Sequence, residues 1–202
     1  MRTIVVTGGP DGMGAAPVRH YLAAGERVVV IGRSRAKFDA LTANSTRAEF
    51  IAADLSLVED SRRVTEQITS KYERVDALVL AASFIRQRRH VTNAQQRRAN
   101  ELLGILATEQ VPGLGYVTWG PARLVRSSFA GEVGTGMRVA AAVLAPVLGQ
   151  RPEDAIRPVA GIIDSPAPGR SAYRGARKRP LTTGAHDEVD AARLAAAVEK
   201  VL

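Results

Sequence analysis

The chain has 202 residues, 46% of them hydrophobic and 24% charged, the composition of a soluble globular protein long enough to bury a sizeable core. It contains no cysteine, which excludes disulfides and thiolate metal sites and makes the reducing cytoplasm the expected location; no apolar run approaches the ~20 residues of a membrane span, and no signal peptide is expected. The formal net charge of +8 suits a polyanion, but the basic residues are scattered and aromatics amount to 4%, so the expectation is a basic surface with a phosphate-bearing cofactor rather than a nucleic-acid partner.

Arg2–Thr7 reads as a strand running into the turn Gly8-Gly9-Pro10-Asp11-Gly12, and Met13–Ala24 as a helix closed by Gly25. Glu26–Ile31 (ERVVVI) is nearly all apolar, as a parallel strand buried on both faces requires. A short helix over Arg35–Leu41 and a third strand over Ala48–Ala52 follow. Ser56 with Glu59 three residues on forms a capping box that starts a helix running to about Tyr72. Val75–Ala81 is a fourth buried strand, and the alternation predicts an α/β fold with a doubly wound parallel sheet. Thr92 and Gln95 form a second capping box, opening a helix whose Ala99, Leu102, Leu103 and Leu106 make one core-facing stripe. Beyond Pro112-Gly113 the spacing predicts a strand over Gly115–Trp119 and an apolar helix over Val139–Leu148. A helix over Pro152–Ile163 carries Pro152, Glu153 and Asp154 in its first turn. Ser165–Pro180 reads as loop with at most one short strand, and Asp187–Leu202 as an Ala-rich helix. Residues 1–202 form one expected domain, with a dinucleotide-binding half over 1–83 and a divergent half over 93–202.

The informative segment is Thr7-Gly8-Gly9-Pro10-Asp11-Gly12-Met13-Gly14. Gly8 can take the tight turn out of the strand, Gly12 lets backbone approach a pyrophosphate, and Gly14 permits close helix–strand packing. The helix start then offers free N–H groups and positive partial charge to the phosphates. An NAD site places a carboxylate at the end of the second strand, whereas this chain has Ile31-Gly32-Arg33-Ser34-Arg35. A guanidinium takes the ribose 2′-phosphate bidentately, so Arg33, followed by Ser34 and Arg35, points to NADP(H). His20, His90 and His186 are isolated, so no metal site is expected. The run Arg86-Gln87-Arg88-Arg89-His90 is either a solvated connector or a surface facing an acidic substrate.

Together these residues resemble the short-chain dehydrogenase/reductase family. Its T-G-x-x-x-G-x-G turn is matched by Thr7, Gly8, Gly12 and Gly14. Ala53-Asp54-Leu55-Ser56 looks like the end of the family's third strand, where the resemblance gives Asp54 to the adenine amino group, with Leu55 beside it. Asp76–Ser83 is similar to the fourth strand, placing Ala81 and Ala82 in the N-N-A-G ending at the cofactor. The resemblance implies a Rossmann-type domain, NADP(H), and hydride transfer to a small carbonyl or enone. Asp11 stands where NADP-preferring members often carry a base, and Pro17 falls inside the first helix.

After Ser83 only nine residues precede the next helix, too few for the helix and strand that the family builds there. The sheet is therefore expected to be short by one strand and one helix, whether naturally or by internal deletion. The helix beginning at Asn93 is similar to the family's active-site helix, with Asn93 in the Tyr position and Arg97 in the Lys position. Gly120 and Ser127 match the Gly and Thr of the loop after the sixth strand. Asn93 has no proton to give near neutral pH and Arg97 stays protonated. Tyr116 is the remaining candidate acid, set against a plain core role. Three readings stand: an oxidoreductase, a non-redox enzyme on the same fold (cyclisation, dehydration or rearrangement), or a non-catalytic nucleotide-binding or interaction protein. A small-molecule substrate is the expected partner, and a homo-oligomer remains open because the family's dimer-forming helix is missing.

Overall fold

The computed structural model describes residues 1–43, 45–82, 85–86, 93–123, 125–126, 131–132, 149–182 and 184–200. The first half runs β1 (Thr3–Thr7), α1 (Gly12–Ala23), β2 (Arg27–Gly32), α2 (Arg35–Thr42), β3 (Ala48–Ala52), α3 (Val58–Lys71) and β4 (Ala77–Leu80). The second runs β5 (Ile85–Arg86), α4 (Asn93–Gln110), β6 (Gly115–Gly120), β7 (Gly131–Glu132), α5 (Pro152–Asp164), β8 (Gly169–Arg174), β9 (Arg177–Arg179) and α6 (Asp187–Glu199).

The β-branched runs TIVVT and RVVVIG form the centre of a parallel sheet ordered β3-β2-β1-β4. Because strand side chains alternate, each run feeds two cores. Ile4, Val6, Val28 and Val30 pack against Val18 and Tyr21 of α1 and Phe38 of α2. Val5, Val29 and Ile31 pack on the other face against Val64 of α3 and Tyr72. Burying each such side chain contributes about 1.5–3 kcal/mol, so covering both faces is what fixes the strand ends that carry the site.

In the second half β6 and β8 pair in parallel and β9 returns antiparallel, giving the order β6-β8-β9, while β5 and β7 make a two-residue parallel ladder. Leu102, Ile105 and Leu106 of α4 pack on Ala191 and Leu194 of α6. Helix α5 ties the halves together: Ile163 joins the core under α1, Arg19 meets Glu153 at 2.6 Å and Arg2 meets Asp164 at 2.8 Å.

The α/β class and the parallel central sheet are as expected, with four corrections. The Ser56–Glu59 capping box does not form: α3 starts at Val58 with Leu57 as an uncapped N-cap, and the Ser56 hydroxyl donates to Asp54 Oδ1 at 2.8 Å instead. The fourth strand is not buried on both faces. Leu78 and Leu80, in register with Val5 and Thr7, are 58% and 56% exposed, and only Ala77 and Val79 meet a core. On α4, Leu103 is exposed and Ile105 takes its place in the stripe. Residues 165–180 hold two strands rather than one at most, turned at Gly175 with φ +60°. Thr92, Ser83, Ser127, the Arg88-Arg89-His90 run and the apolar Val139–Leu148 segment lie outside the described residues.

Candidate functional site

Thr7, Gly8, Gly12, Met13 and Gly14 make up the connection from β1 to α1, at the carboxyl edge of the parallel sheet. The Gly8 N–H donates to the Ile31 carbonyl at 2.8 Å, and Thr7 accepts from both neighbours on β4's exit: its carbonyl from Ala81 N and its Oγ1 from Ala82 N, each at 3.2 Å. Strands β1, β2 and β4 thus end at one point. Gly8 (φ +68°) and Gly12 (φ +54°) occupy the left-handed region that favours glycine. A Cβ on Gly14 would lie 2.3 Å from Gly8 O, and one on Gly8 would lie 2.8 Å from Ala82 Cα. The cradle is bare backbone because nothing larger fits, the geometry a pyrophosphate requires.

Asp11 is the N-cap of α1, accepting from Gly12 N at 2.7 Å. It places a carboxylate where a pyrophosphate would approach, which opposes anion binding at a helix start. Lys37, from the first turn of α2, forms an ion pair with Asp11 and compensates that charge. Sequence reasoning missed Lys37, which reaches Asp11 from a different element.

At the ends of β2 and β3, Arg33 is exposed and makes no hydrogen bond or ion pair among the described residues. Asp54 is held below the usual carboxylate range, first by the Ser56 hydroxyl at 2.8 Å and the Ser56 N–H at 3.0 Å, with a further pull from the Arg33 charge. The Asp54 N–H donates to Asp60 Oδ2 at 2.7 Å. Arg63 links Asp60 Oδ1 at 2.6 Å to the Ala52 carbonyl at 2.7 Å, so the turn is fixed from below. Leu55 packs on the second core. Ser34 and Arg35 are engaged locally: the Ser34 hydroxyl accepts from Lys37 N at 3.3 Å as the α2 cap, and Arg35 meets Asp39 at 2.8 Å while lying over the Phe38 and Phe50 rings. Of the three, Arg33 alone has no such partner among the described residues.

Asn93 and Arg97 belong to the first turns of α4, with side chains outside the described residues. Tyr116 is the second residue of β6; its hydroxyl donates to Asn100 O at 2.7 Å, and its ring fills the space that a Cβ on Gly104 would need. Burial pushes its phenol up, away from neutrality, the reverse of what a general acid needs. Tyr116 therefore seats α4 on β6.

This arrangement, glycine cradle, parallel sheet and flanking helices, is that of a Rossmann-type dinucleotide-binding fold. The short chain dehydrogenase family profile matches residues 2–105, half of the chain, and the chain belongs to that family. It is 28% identical over 83 residues to L-fucose dehydrogenase of Bos taurus, a match covering 41% of this chain and 31% of that protein, so the chain spans under a third of the curated relative. Among solved structures it is similar to a short-chain dehydrogenase from Streptomyces avermitilis (TM-score 0.65, 19% identity, 99% of this chain and 93% of that one). It is also similar to the closed form of a serine dehydrogenase complexed with NADP+ (TM-score 0.63, 14% identity, 91% and 97%). At these identities the structural likeness speaks to the fold alone. Among the described residues no helix is long and apolar enough to cross a membrane.

Proposed function

We propose that the chain binds NADP(H) across the β1–α1 turn and acts as an oxidoreductase on a small carbonyl or enone, in the cytoplasm. The observation that carries the reading is the glycine cradle of Gly8, Gly12 and Gly14 with Arg33, which makes no hydrogen bond or ion pair among the described residues, at the end of β2. The N–H groups in the first turn of α1 beyond the capped Gly12 would hold the pyrophosphate, Arg33 the 2′-phosphate, and the Asp54 carboxylate the adenine amino group, with Ala81 and Ala82 on the far side. When bound, the dihydronicotinamide supplies the hydride. Asn93 has no transferable proton near neutral pH and the Tyr116 hydroxyl donates to Asn100 O, so the reading assigns neither residue as the proton donor. The same two facts favour a second reading, in which the nucleotide serves a non-redox or non-catalytic role.

The test is a fluorescence titration with NADPH, followed by NADPH oxidation across a panel of small ketones and enones. The first reading expects binding and turnover of at least one substrate class. Binding without turnover selects the second, and no binding removes both.

A further inference from the structure

The β8–β9 hairpin carries charge that the fold does not neutralise. In the antiparallel register Arg174 lies directly opposite Arg177, and Arg179 lies opposite Ala172. Because side chains alternate along a strand, Arg174, Arg177 and Arg179 share one face. Like charges directly opposed destabilise a ladder. These three, with Lys178, are exposed and make no hydrogen bond or ion pair among the described residues. Elsewhere Arg2, Arg19, Arg35, Arg63, Lys71 and Arg98 each meet a carboxylate within 2.9 Å. Charge on an edge strand discourages unwanted pairing, but Lys178 and the following Pro180 already serve that purpose without stacking guanidiniums on one face.

The position of the cluster matters as much as its charge. Gly120 and Arg174 are the last residues of the parallel pair β6 and β8 and stand in register. Gly175 N donates to Gly120 O at 2.8 Å, Trp119 Nε1 donates to Gly175 O at 2.9 Å, and a Cβ on Gly175 would lie 2.8 Å from Ala122 Cβ. The loop after β6, which bears the exposed Arg123, is thereby packed on the hairpin turn. In open α/β folds ligands bind beyond the carboxyl ends of parallel strands; Arg174 stands at that end with Arg177 opposite it, and Arg179 lies two residues further back on the same face.

We infer that Arg174, Arg177 and Arg179, with the loop through Ala122 and Arg123 packed on their turn, form a binding site for a small, multiply charged anion, the phosphate- or carboxylate-bearing substrate of this protein. The word substrate rests on the oxidoreductase reading; the anion site stands on the hairpin. Cross-strand neighbours about 5 Å apart match the charges of one compact polyanion. A nucleic-acid surface combines basic residues with stacking aromatics, whereas Trp119 and Tyr173 stand in register with Lys178 on the opposite face.

The test compares wild type with the double variant Arg174→Gln/Arg177→Gln, titrating tripolyphosphate and citrate by calorimetry without cofactor and at saturating NADPH. The site predicts that wild type binds at least one of the two anions and that the double variant loses that affinity by about tenfold or more. NADPH affinity stays unchanged, and the ligand-free melting temperature stays equal or rises as the opposed charges are removed. Equal anion affinity in the two proteins overturns the site. So does a melting temperature several degrees lower in the variant, which would make the arginines structural. Tighter binding of a single-stranded oligonucleotide than of either small anion also overturns it. Failure of wild type to bind NADPH removes the oxidoreductase reading and the word substrate, while a hairpin-dependent loss of anion affinity would still support the site.

Discussion

The charges around the glycine turn act in opposition, and their balance can be measured residue by residue. Arg33 makes no hydrogen bond or ion pair among the described residues and acts on Asp54 only through its charge, so its guanidinium N–H groups are open to a 2′-phosphate, and a charge-assisted bond of this kind contributes about 1.5–3 kcal/mol. Arg33→Glu is expected to weaken NADPH by about tenfold to a hundredfold and NADH by no more than about threefold, in fluorescence titrations at one fixed ionic strength. Asp11 works the other way. Asparagine caps a helix as well as aspartate does, so Asp11→Asn keeps the bond to Gly12 N while removing the carboxylate from the pyrophosphate's approach. That variant should bind NADPH and NADH more tightly by a similar factor, and a preference between them would show that Asp11 acts at the 2′-phosphate instead. The glycines and Arg33 were legible in the sequence because backbone geometry and strand order dictate their places. The Asp11–Lys37 pair was not, since it joins residues 26 apart in chain order from two elements whose facing cannot be read from spacing.

Elements were legible where their pattern was driven by burial and obscure where local chemistry competed. The β-branched runs of β1 and β2 announce strands covered on both faces, and the structure covers them. The apolar β4 looks the same in sequence, yet its cover depends on what packs over its outward face, and there Leu78 and Leu80 remain exposed. The β8–β9 hairpin was hidden because Pro166, Pro168 and the arginines read as loop, while its strand character comes from pairing with β6. The contrast between sister strands gives a quantitative expectation. Ile4→Ala, fully buried on β1, should cost about 2–5 kcal/mol in urea unfolding. Leu78→Thr with Leu80→Thr should cost no more than about 0.5 kcal/mol per site and should reduce self-association in light scattering, because an exposed apolar pair is removed. A large loss of stability in the double variant would mean that this face is covered in solution.

For the whole molecule, titration sets the limits of stability, because its perturbed groups are spread over both halves. Hydrogen bonds from Arg2 hold Glu26 low, bonds from Ser56 hold Asp54 low, and Arg63 and Arg98 do the same for Asp60 and Asp187. Each carboxyl binds its proton less readily in the fold than at its ordinary value of 4.5 for Glu or 3.8 for Asp. The stability they contribute is complete above those values and is lost as pH falls through the lowered ones. The chain's net positive charge grows over the same range and adds self-repulsion. At the alkaline end, burial raises the phenols of Tyr21, Tyr72 and Tyr116 above their ordinary 10.0. The fold favours their neutral form, so their contribution is full below pH 10 and declines above it, as the unfolded chain releases protons that the folded chain keeps. Thermal melts followed by circular dichroism should therefore show a plateau between about pH 5 and 9, falling below about pH 4 and above about pH 10. The single tryptophan, Trp119 on β6, reports the second sheet separately; coincident curves from the two probes would show that α5 couples the halves into one cooperative unit. Tyr21 tests the alkaline edge directly, since its hydroxyl is buried beside the Asp164 carboxylate without a well-formed hydrogen bond among the described residues. Tyr21→Phe removes an unsatisfied polar group and a titrating one together. It should raise stability at neutral pH by about 1 kcal/mol and extend the plateau upward, while leaving the acid limb where the carboxylates set it.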